Sequence, residues 1–266
     1  MVRLLTTVTS SLFLVGVSAH ARIEKITTSA GLVYNGWDPV SSETLTPPRP
    51  LAAWSAANMG NIFVPPSHFN TSNITCHDNA IPGALHVNTT AGDTLQLKWN
   101  EWPVSHVGAV MTYIAKCNTT CSKANKHTLS WIKIDELAWL NSTGWDTLEL
   151  GGTWATDVLI ANNFTWEVKI PEVLAAGYYT LRHELLALHV AEKLDGAQAY
   201  PQCVNLRVDG KTGVETKRLK QGVLGSNLYR PTDAGILVDV HKKLTGYDTP
   251  GPKLWEYATP LRQPYQ

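Results

Sequence analysis

The stretch LRHELLALHVAEKLDGAQAYPQC, from Leu181 to Cys203, decides how this chain is interpreted. It reads as a strand, a loop and a second strand. The first arm places Leu181, Leu185 and Leu188 among polar or ionisable residues, as expected of a strand beside a core. A turn at Asp195–Gly196 then leads into the second arm, which ends at the cysteine.

Three polar side chains of this stretch are predicted to meet at one edge of a sheet. Residues two apart in a strand point to the same face, so Gln198 and Tyr200 share a face. The turn between the arms brings His189 near them. These groups are either partly buried side chains that hydrogen-bond each other or part of a chemical site, and these residues alone leave both interpretations open.

The composition predicts one large all-β domain. The chain has 266 residues, 44% of them hydrophobic, with ten tryptophans and zero formal net charge. A neutral chain lacks the basic surface that phosphate binding requires, so we expect no nucleic-acid partner. Four cysteines in a chain of this length predict two disulfides rather than a disulfide-dense small protein.

The N-terminus reads as a secretory signal peptide over residues 1–19. Arg3 precedes an apolar run that ends in small residues at Ser18 and Ala19. The run is too short and interrupted for a membrane anchor, so a secreted protein without a membrane partner is expected. Six N-glycosylation sequons agree with secretion: Asn70, Asn73, Asn88, Asn118, Asn141 and Asn163.

Two cleavage positions satisfy the small-residue rule, and their products differ in chemistry. Cleavage after Ala19 leaves His20 as the first residue, with an α-amine and an imidazole that can chelate a metal together. Cleavage after Ala21 leaves Arg22, which offers only the amine.

The rest of the chain shows the recurring short strands and turns of a β-sandwich. Strands are predicted within Leu85–Trp99, Val107–Cys117 and Phe164–Pro171. The segment from Thr128 to Asn162 has no clear period and is predicted to hold long loops with room for a short helix. Residues after Gly210 are irregular, with glycine and proline clusters.

One further histidine is a candidate metal ligand. His106, in WPVSHVGAV, lies in a polar loop just before a buried strand, where a side chain can be held rigidly. The other histidines are expected to be structural or at the surface: His68, His77, His86, His127, His183 and His241.

Several motifs occur in one order along the chain: HARIEKI, WPVSHVGAVMTYIAKC, IPEVLAAGYYTLRHELLALH, GAQAYPQC, TDAGILVDV and YDTPGPKLW. In order and spacing they resemble the fungal lytic polysaccharide monooxygenases of auxiliary activity family nine, once classed as glycoside hydrolases. The resemblance runs from about His20 to Trp255. It implies an immunoglobulin- or fibronectin-like β-sandwich with long loops and a flat face that carries one copper ion per mature chain.

The resemblance also implies a role for each site residue. His20 would bind copper through its α-amine and Nδ1, and His106 would bind it through Nε2. Tyr200 would fill a distant axial position. His189 and Gln198 match the pair that handles the oxygen species beside the metal. Imidazole and amine nitrogens suit copper. Cu(II) favours a tetragonal set of ligands, which three nitrogens in a T-shaped arrangement can supply.

Further expectations follow from the same resemblance. The disulfides would pair Cys76 with Cys203 and Cys117 with Cys121. The substrate would be cellulose or a related β-glucan, with Tyr247 and, more weakly, Trp37 on the binding face. A small reductant or cellobiose dehydrogenase would donate electrons to a monomeric enzyme. The catalytic domain would span residues 20–255, followed by a tail over residues 256–266.

Other functions remain to be weighed. A glycoside hydrolase needs two carboxylates across the scissile bond, and Glu184 and Asp195 do not form a visible acid pair. A serine hydrolase with the G-x-S-x-G motif is excluded because the motif is absent. A non-catalytic polysaccharide- or copper-binding protein is the main alternative, and it follows if cleavage after Ala21 removes His20.

Two departures from the family pattern concern the site. Ala109 stands where the family often has proline, which should slightly loosen the loop that holds His106. Ala199 replaces an aromatic residue between Gln198 and Tyr200, and it points to the opposite face, so altered packing is expected there.

Overall fold

The computed structural model describes residues 21–42, 49–57, 62–144, 150–219 and 222–265. The strands are, in chain order, β1 (Ile23–Thr28), β2 (Val33–Asn35), β3 (Val87–Thr90), β4 (Thr94–Trp99), β5 (Gly108–Lys116), β6 (Ser130–Leu137), β7 (Trp139–Asn141), β8 (Thr153–Trp154), β9 (Thr165–Lys169), β10 (Gly177–Ala187), β11 (Gln198–Asp209) and β12 (Val223–Leu224). The helices are α1 (Pro39–Ser42), α2 (Asn73–Cys76) and α3 (Ala155–Ala161), with short 3-10 helices at Pro66–His68, Cys121–Lys123 and Gly225–Asn227.

The strands form two facing sheets, which confirms the predicted β-sandwich. One sheet has the order β2-β1-β4-β9, and the other has the order β12-β6-β5-β10-β11-β3. Residues such as Leu97 of the first sheet and Leu181 of the second are fully buried in the core between them. Strands β7 and β8 pair separately as a small ribbon. Within the described ranges, no helix combines the length and hydropathy needed to cross a membrane.

The strand–loop–strand prediction for Leu181 to Cys203 is confirmed. Strands β10 and β11 are antiparallel, and their register pairs Ala187 with Gln198 and Leu185 with Tyr200. Strand β10 also pairs with β5, so it is hydrogen-bonded on both edges at the centre of the larger sheet. The loop between the two arms therefore leaves the sheet at one end, where His189 lies near the start of β11.

The interpretation of residues 128–162 was partly wrong. The predicted short helix is present as α3, but β6 is a strand of eight residues in a segment predicted to be mainly loops. Its period is hidden because Lys133 and Asp135 are buried rather than exposed. The Lys133 ammonium reaches Glu136 at 2.7 Å, and Asp135 accepts the Trp166 indole N–H at 2.8 Å. Polar side chains with internal partners thus occupy core positions and hide the alternation of a buried strand.

A second apolar cluster covers the outer face of the larger sheet, beneath the loops. Both predicted disulfides are present and are confirmed. Cys76–Cys203 ties α2 to β11 across 127 residues of sequence, and Cys117–Cys121 closes a local turn. Cross-linking residues so distant in sequence restricts the unfolded chain, which contributes about 5 kcal/mol in the chain-entropy treatment.

A buried ion pair lies on the same outer face. Arg182 and Glu184 are two residues apart on β10, are fully buried, and form paired hydrogen bonds of 2.7 and 2.8 Å. The guanidinium also donates to the Ile74 carbonyl, while the Tyr229 hydroxyl donates to Glu184. Removing either charge would leave the other unpaired, at a cost of about 3–5 kcal/mol.

The chain after Trp255 packs against the sandwich as far as it is described. The side chain of Gln263 is buried and exchanges two hydrogen bonds with the backbone of Glu167 on β9, at 3.0 and 2.9 Å. It therefore occupies backbone groups of an edge strand, which would otherwise be open to pairing.

Candidate metal centre

The loop that carries His106 is held from three sides. A turn joins the His106 amide to the Pro103 carbonyl at 3.0 Å. The Trp102 indole N–H donates to the His106 carbonyl at 2.8 Å. One residue further, the Val107 carbonyl accepts the Leu188 amide at 2.8 Å. This last bond joins the His106 loop directly to the end of β10, beside His189.

The imidazole rings of His106 and His189 stack, with centroids 3.9 Å apart and an interplanar angle of 28°. Burial and the neighbouring His189 lower the pKa of His106 to about 4. Its ring is therefore neutral at physiological pH, which is the form that binds a metal. The Ser105 hydroxyl lies 3.2 Å from Nδ1, and no hydrogen bond reaches Nε2 from the described residues.

His189 is fixed through its backbone more than through its ring. Its carbonyl accepts a hydrogen bond from Nε2 of His241 at 3.0 Å, and the next turn is held by the Val238 amide, which donates to Ala191 at 2.9 Å. Its Nδ1 is buried and has no hydrogen-bond partner among the described residues. Burial lowers the pKa of His189.

A carboxylate secures the other end of the same loop. Asp195 accepts two hydrogen bonds from Ser67, at 2.6 Å from the backbone amide and at 3.0 Å from the hydroxyl. Asp195 has a φ of 69°, in the left-handed region that a short polar side chain tolerates better than most. The loop from residue 188 to residue 197 is thus fastened to a neighbouring segment near each end.

Gln198 and Tyr200 share a face, as predicted, and they contact each other. The Tyr200 hydroxyl donates to Gln198 Oε1 at 2.8 Å. The Tyr200 ring is 3% exposed and meets the Trp102 ring edge-on at 5.0 Å. Burial raises the pKa of Tyr200, so its phenol stays protonated. Trp102 also contacts the His106 ring at 5.7 Å and so links the two halves of the site.

The predicted ligand His20 lies outside the described residues. Among the residues that the structure describes, no three His, Cys, Asp or Glu side chains form a metal-binding group. The chain at Arg22 is held firmly. The Arg22 amide donates to the side-chain Oδ1 of Asn100 at 2.8 Å, the Asn100 amide donates to the Arg22 carbonyl at 3.0 Å, and the Arg22 guanidinium pairs with Asp38 at 3.1 Å.

The start of β1 is also linked to the His106 loop through aromatic contacts. Ile23 pairs with Trp99, whose ring lies 6.3 Å from that of Trp102. Ile23, three residues after His20 in sequence, therefore lies beside the aromatic residues that support His106.

The two predicted substrate contacts are both half-buried. Tyr247 donates its hydroxyl to the Gly235 carbonyl at 2.6 Å and packs edge-on against Trp154 at 5.0 Å. The Trp37 indole donates to the Ala56 carbonyl at 2.8 Å. Part of each ring is therefore used for internal packing, and substrate binding by the remaining surface stays a prediction.

The histidines expected to be structural include two with well-defined internal roles. His183 lies in the core with Nδ1 2.9 Å from the Thr112 hydroxyl, and His77 is buried between Asp78 and Ile62. His68, His127 and His241 are exposed, and His86 is half-buried. His241 nevertheless supports the site, which its sequence context did not indicate.

Trp102 is the other supporting residue that the sequence interpretation missed. Its position four residues before a candidate ligand was the available signal. The sequons lie at the surface, where Asn70, Asn88, Asn118, Asn141 and Asn163 are exposed and Asn73 is half-buried.

Comparison with known proteins gives one consistent family. The model of Auxiliary Activity family 9 (formerly GH61) matches residues 20–248. The chain is 42% identical to AA9 family lytic polysaccharide monooxygenase H of Thermothelomyces thermophilus over 239 residues, which cover 90% of this chain and 66% of that protein. It is 40% identical to monooxygenase I of the same family from Botryotinia fuckeliana over 247 residues, which cover 93% and 88%.

A solved structure agrees with the sequence matches. The extended catalytic domain of Hypocrea jecorina LPMO9A, also called EG4, superposes with a TM-score of 0.80 at 37% identity, covering 92% of this chain and 98% of that domain. Similarity of fold, of sequence and of the family pattern each extends over most of the chain. The chain therefore belongs to Auxiliary Activity family 9, a family of polysaccharide monooxygenases.

Proposed function

We propose that the mature chain begins at His20, binds one copper ion through His20 and His106, and oxidises C–H bonds at the glycosidic linkages of cellulose or a related β-1,4-glucan. The observation that carries the proposal is the state of His106. Its ring is neutral, is supported by Trp102 and the His189 stack, and leaves Nε2 without a partner among the described residues.

The donor set fits copper. The neutral imidazole of His106 and the second imidazole and α-amine of His20 are nitrogen donors, which suit Cu(II). An α-amine has a pKa of roughly 8, so it gives up its proton to a metal near neutral pH. The buried Nδ1 of His189 has no hydrogen-bond partner among the described residues, which supports a further partner at this edge. The family match begins at residue 20, which supports cleavage before His20.

The surrounding residues prepare the site for oxygen chemistry. Bound copper would supply the one-electron redox chemistry that activates O2 or H2O2 once an external donor has reduced it. Tyr200 occupies Oε1 of Gln198, so the amide nitrogen of Gln198 remains as a hydrogen-bond donor. His189 contributes a ring nitrogen at the same edge. We assign the Gln198 amide and the His189 ring nitrogen to orienting the oxygen species and holding a proton beside it. The buried rings of Tyr200 and Trp102 exclude water from the protein side of the site.

The setting of this activity is extracellular. The signal peptide, the two disulfides and the surface sequons support secretion, because disulfides persist in oxidising compartments. We propose that the enzyme acts as a monomer on an insoluble glucan and takes electrons from a small reductant or from cellobiose dehydrogenase. A flat copper-bearing face would act at a crystal surface without extracting a glucan chain.

The experiment uses the dependence of the site on its processed terminus. The mature chain and a variant with one extra N-terminal residue before His20 are titrated with Cu(II) by calorimetry. They are then incubated with cellulose and ascorbate, and the soluble products are analysed by mass spectrometry. The extended variant should lose most of its Cu(II) affinity and form no oxidised oligosaccharides, because its α-amine has moved away from the imidazole.

Two histidine variants provide the matched controls. His106→Ala should lose affinity and change the electron paramagnetic resonance spectrum, whereas His127→Ala, at an exposed site, should match the parent. Equal affinities of the mature and extended chains would overturn the ligand assignment. Tight copper binding without any oxidised product would instead identify a copper-binding protein that lacks turnover.

A further inference from the structure

One glycosylation sequon lies between two surface recesses. Asn70 lines a recess of about 460 Å³ and also an adjoining one of about 300 Å³, and Ser226 lines both as well. The larger recess falls within the size range of ligand pockets, roughly 300–1,000 Å³. Asn70 is exposed, and its side-chain amide forms no hydrogen bond with the described residues.

The residues that line the larger recess are suited to bind carbohydrate. Pro66, Pro231 and Tyr229 line it, and 3% of the Tyr229 surface is exposed. Asn227 and Arg230, also in its lining, are exposed. Neither side chain forms a hydrogen bond or ion pair with other described residues, so amide and guanidinium groups are available to sugar hydroxyls and acetamides.

The other sequons lack such a setting. Asn88, Asn118 and Asn163 line neither recess. Asn141 uses its side-chain oxygen to accept the Thr143 amide at 2.8 Å. Asn73 is half-buried at the first residue of α2. Among the described sequons, Asn70 therefore combines an exposed, unengaged amide with an adjoining polar recess.

We propose that Asn70 carries an N-linked glycan whose first two N-acetylglucosamine residues lie in the larger recess. Attachment forms a bond between Asn70 Nδ2 and C1 of the first sugar. It breaks the bond from that carbon to the diphosphate of a lipid-linked oligosaccharide donor, and the amide loses one proton. The proposal rests on the proposed secretion of the chain, but not on copper or on glucan oxidation.

The seated glycan joins two segments that flank the buried ion pair. Asn70 follows Phe69, whose ring packs against Tyr229 at 5.5 Å, and Tyr229 in turn bonds the buried Glu184. Sugars across the recess would cover this contact. The glycan thus serves as a surface brace between residues 66–72 and residues 225–231.

The first experiment measures occupancy and seating. The chain is secreted from a yeast host and digested to peptides. The glycans are then released enzymatically in isotopically labelled water, which marks each formerly glycosylated asparagine for mass spectrometry. Asn70 should be occupied. An endoglycosidase should release its glycan at least tenfold more slowly from the folded protein than from the denatured protein, and Arg230→Ala should speed release from the folded form. An unoccupied Asn70, or release that Arg230→Ala leaves unchanged, would overturn the proposal.

The second experiment measures thermodynamic coupling. Asn70→Gln and Ser72→Ala both remove the sequon, and each should lower the Tm by about 2–4 °C, the shift expected for a lost contact in a chain of this size. Asn88→Gln serves as the matched control and should leave the Tm unchanged. Arg230→Ala should lower the Tm of the glycosylated chain and have no effect on Asn70→Gln. Equal effects of Arg230→Ala in both backgrounds would show that the glycan does not occupy the recess.

Discussion

The imidazole of His106 stacks on that of His189 at 3.9 Å, and the Val107–Leu188 backbone bond fixes the two loops beside this contact. Both rings have lowered pKa values because both are partly buried. Neutral rings can stack without charge repulsion, so the same burial that favours metal binding also stabilises the contact. We therefore propose that His189 orients the ring of His106 and keeps one ring nitrogen for the oxygen species.

Replacing His189 tests whether it is a copper ligand or only a neighbour of the proposed ligand His106. His189→Ala should keep copper affinity within a few-fold of the parent, because His20 and His106 remain, but oxidised products should fall by at least tenfold. His189→Phe should retain the stack and still lose the products, because phenylalanine has no ring nitrogen. Calorimetry and product analysis on the copper-loaded chain check both variants. A loss of copper binding in His189→Phe would make His189 a ligand and contradict this assignment.

The hydroxyl of Tyr200 is predicted to act through Gln198. Tyr200→Phe removes the 2.8 Å hydrogen bond to Oε1 of Gln198, and the typical net loss is about 1 kcal/mol of folding stability. The amide then turns more freely, so activity should fall less than in His189→Ala while copper remains bound. Chemical denaturation measures the stability, calorimetry measures copper binding, and product yields measure the activity. Activity as low as that of His189→Ala would show that the phenol has a direct role.

His241 is predicted to position His189 from outside the site. His241→Ala removes the 3.0 Å hydrogen bond to the His189 carbonyl and should reduce turnover several-fold with copper affinity unchanged. His241→Gln can restore a donor at this position and should recover most of the loss, whereas His127→Ala should have no effect. NMR signals of the His189 ring should shift in the Ala variant and return in the Gln variant. No recovery with glutamine would limit His241 to a packing role.

Two buried histidines predict acid sensitivity of the fold. Burial lowers the pKa of His77 to about 4 and that of His183 to about 3, while an unfolded histidine has a pKa of 6.5. The unfolded chain therefore binds more protons below pH 6.5. Each neutral histidine contributes stability above that pH, which is lost by up to about 1.4 kcal/mol per pH unit as the pH falls towards the folded pKa.

Asp135 should act in the opposite direction. Burial raises its pKa to about 7 against an ordinary value of 3.8, so its contribution is present below pH 3.8 and is lost as the pH rises through 7. Asp135→Asn keeps an acceptor for the Trp166 indole and removes the titration. The variant should gain stability relative to the parent as the pH rises from 4 to 8. Guanidinium unfolding of the metal-free chain across this range measures the difference, and a constant difference would show that Asp135 is ionised throughout.

Tyr247 is predicted to combine a structural and a substrate role. Tyr247→Phe should lower the Tm slightly by removing the hydrogen bond to Gly235 and should leave cellulose binding near that of the parent. Tyr247→Ala also removes the contact with Trp154, so it should lower the Tm further and weaken cellulose binding several-fold. Binding isotherms on microcrystalline cellulose and thermal unfolding check the pair. Unchanged cellulose binding in Tyr247→Ala would leave only the structural role.

The sequence by itself determined the all-β class, the central hairpin and the family. Motifs such as WPVSHVGAV and GAQAYPQC occur in the same order as in the family over most of the chain. The alternation along Phe164–Pro171 identifies β9. These signals are local, so they can be recognised in the sequence without knowledge of the fold. Both cysteine pairs also followed from the resemblance, and the structure confirms them.

The tertiary structure decided the contacts that hold the site together. The His106–His189 stack, the support from Trp102 and the fastening of the loop by Asp195 and His241 join residues far apart in sequence. Such contacts depend on sheet register and on how the loops leave the sheet, and neither is encoded in local periodicity. Strand β6 was missed for a related reason, because its buried Lys133 has an internal partner that only the folded chain supplies.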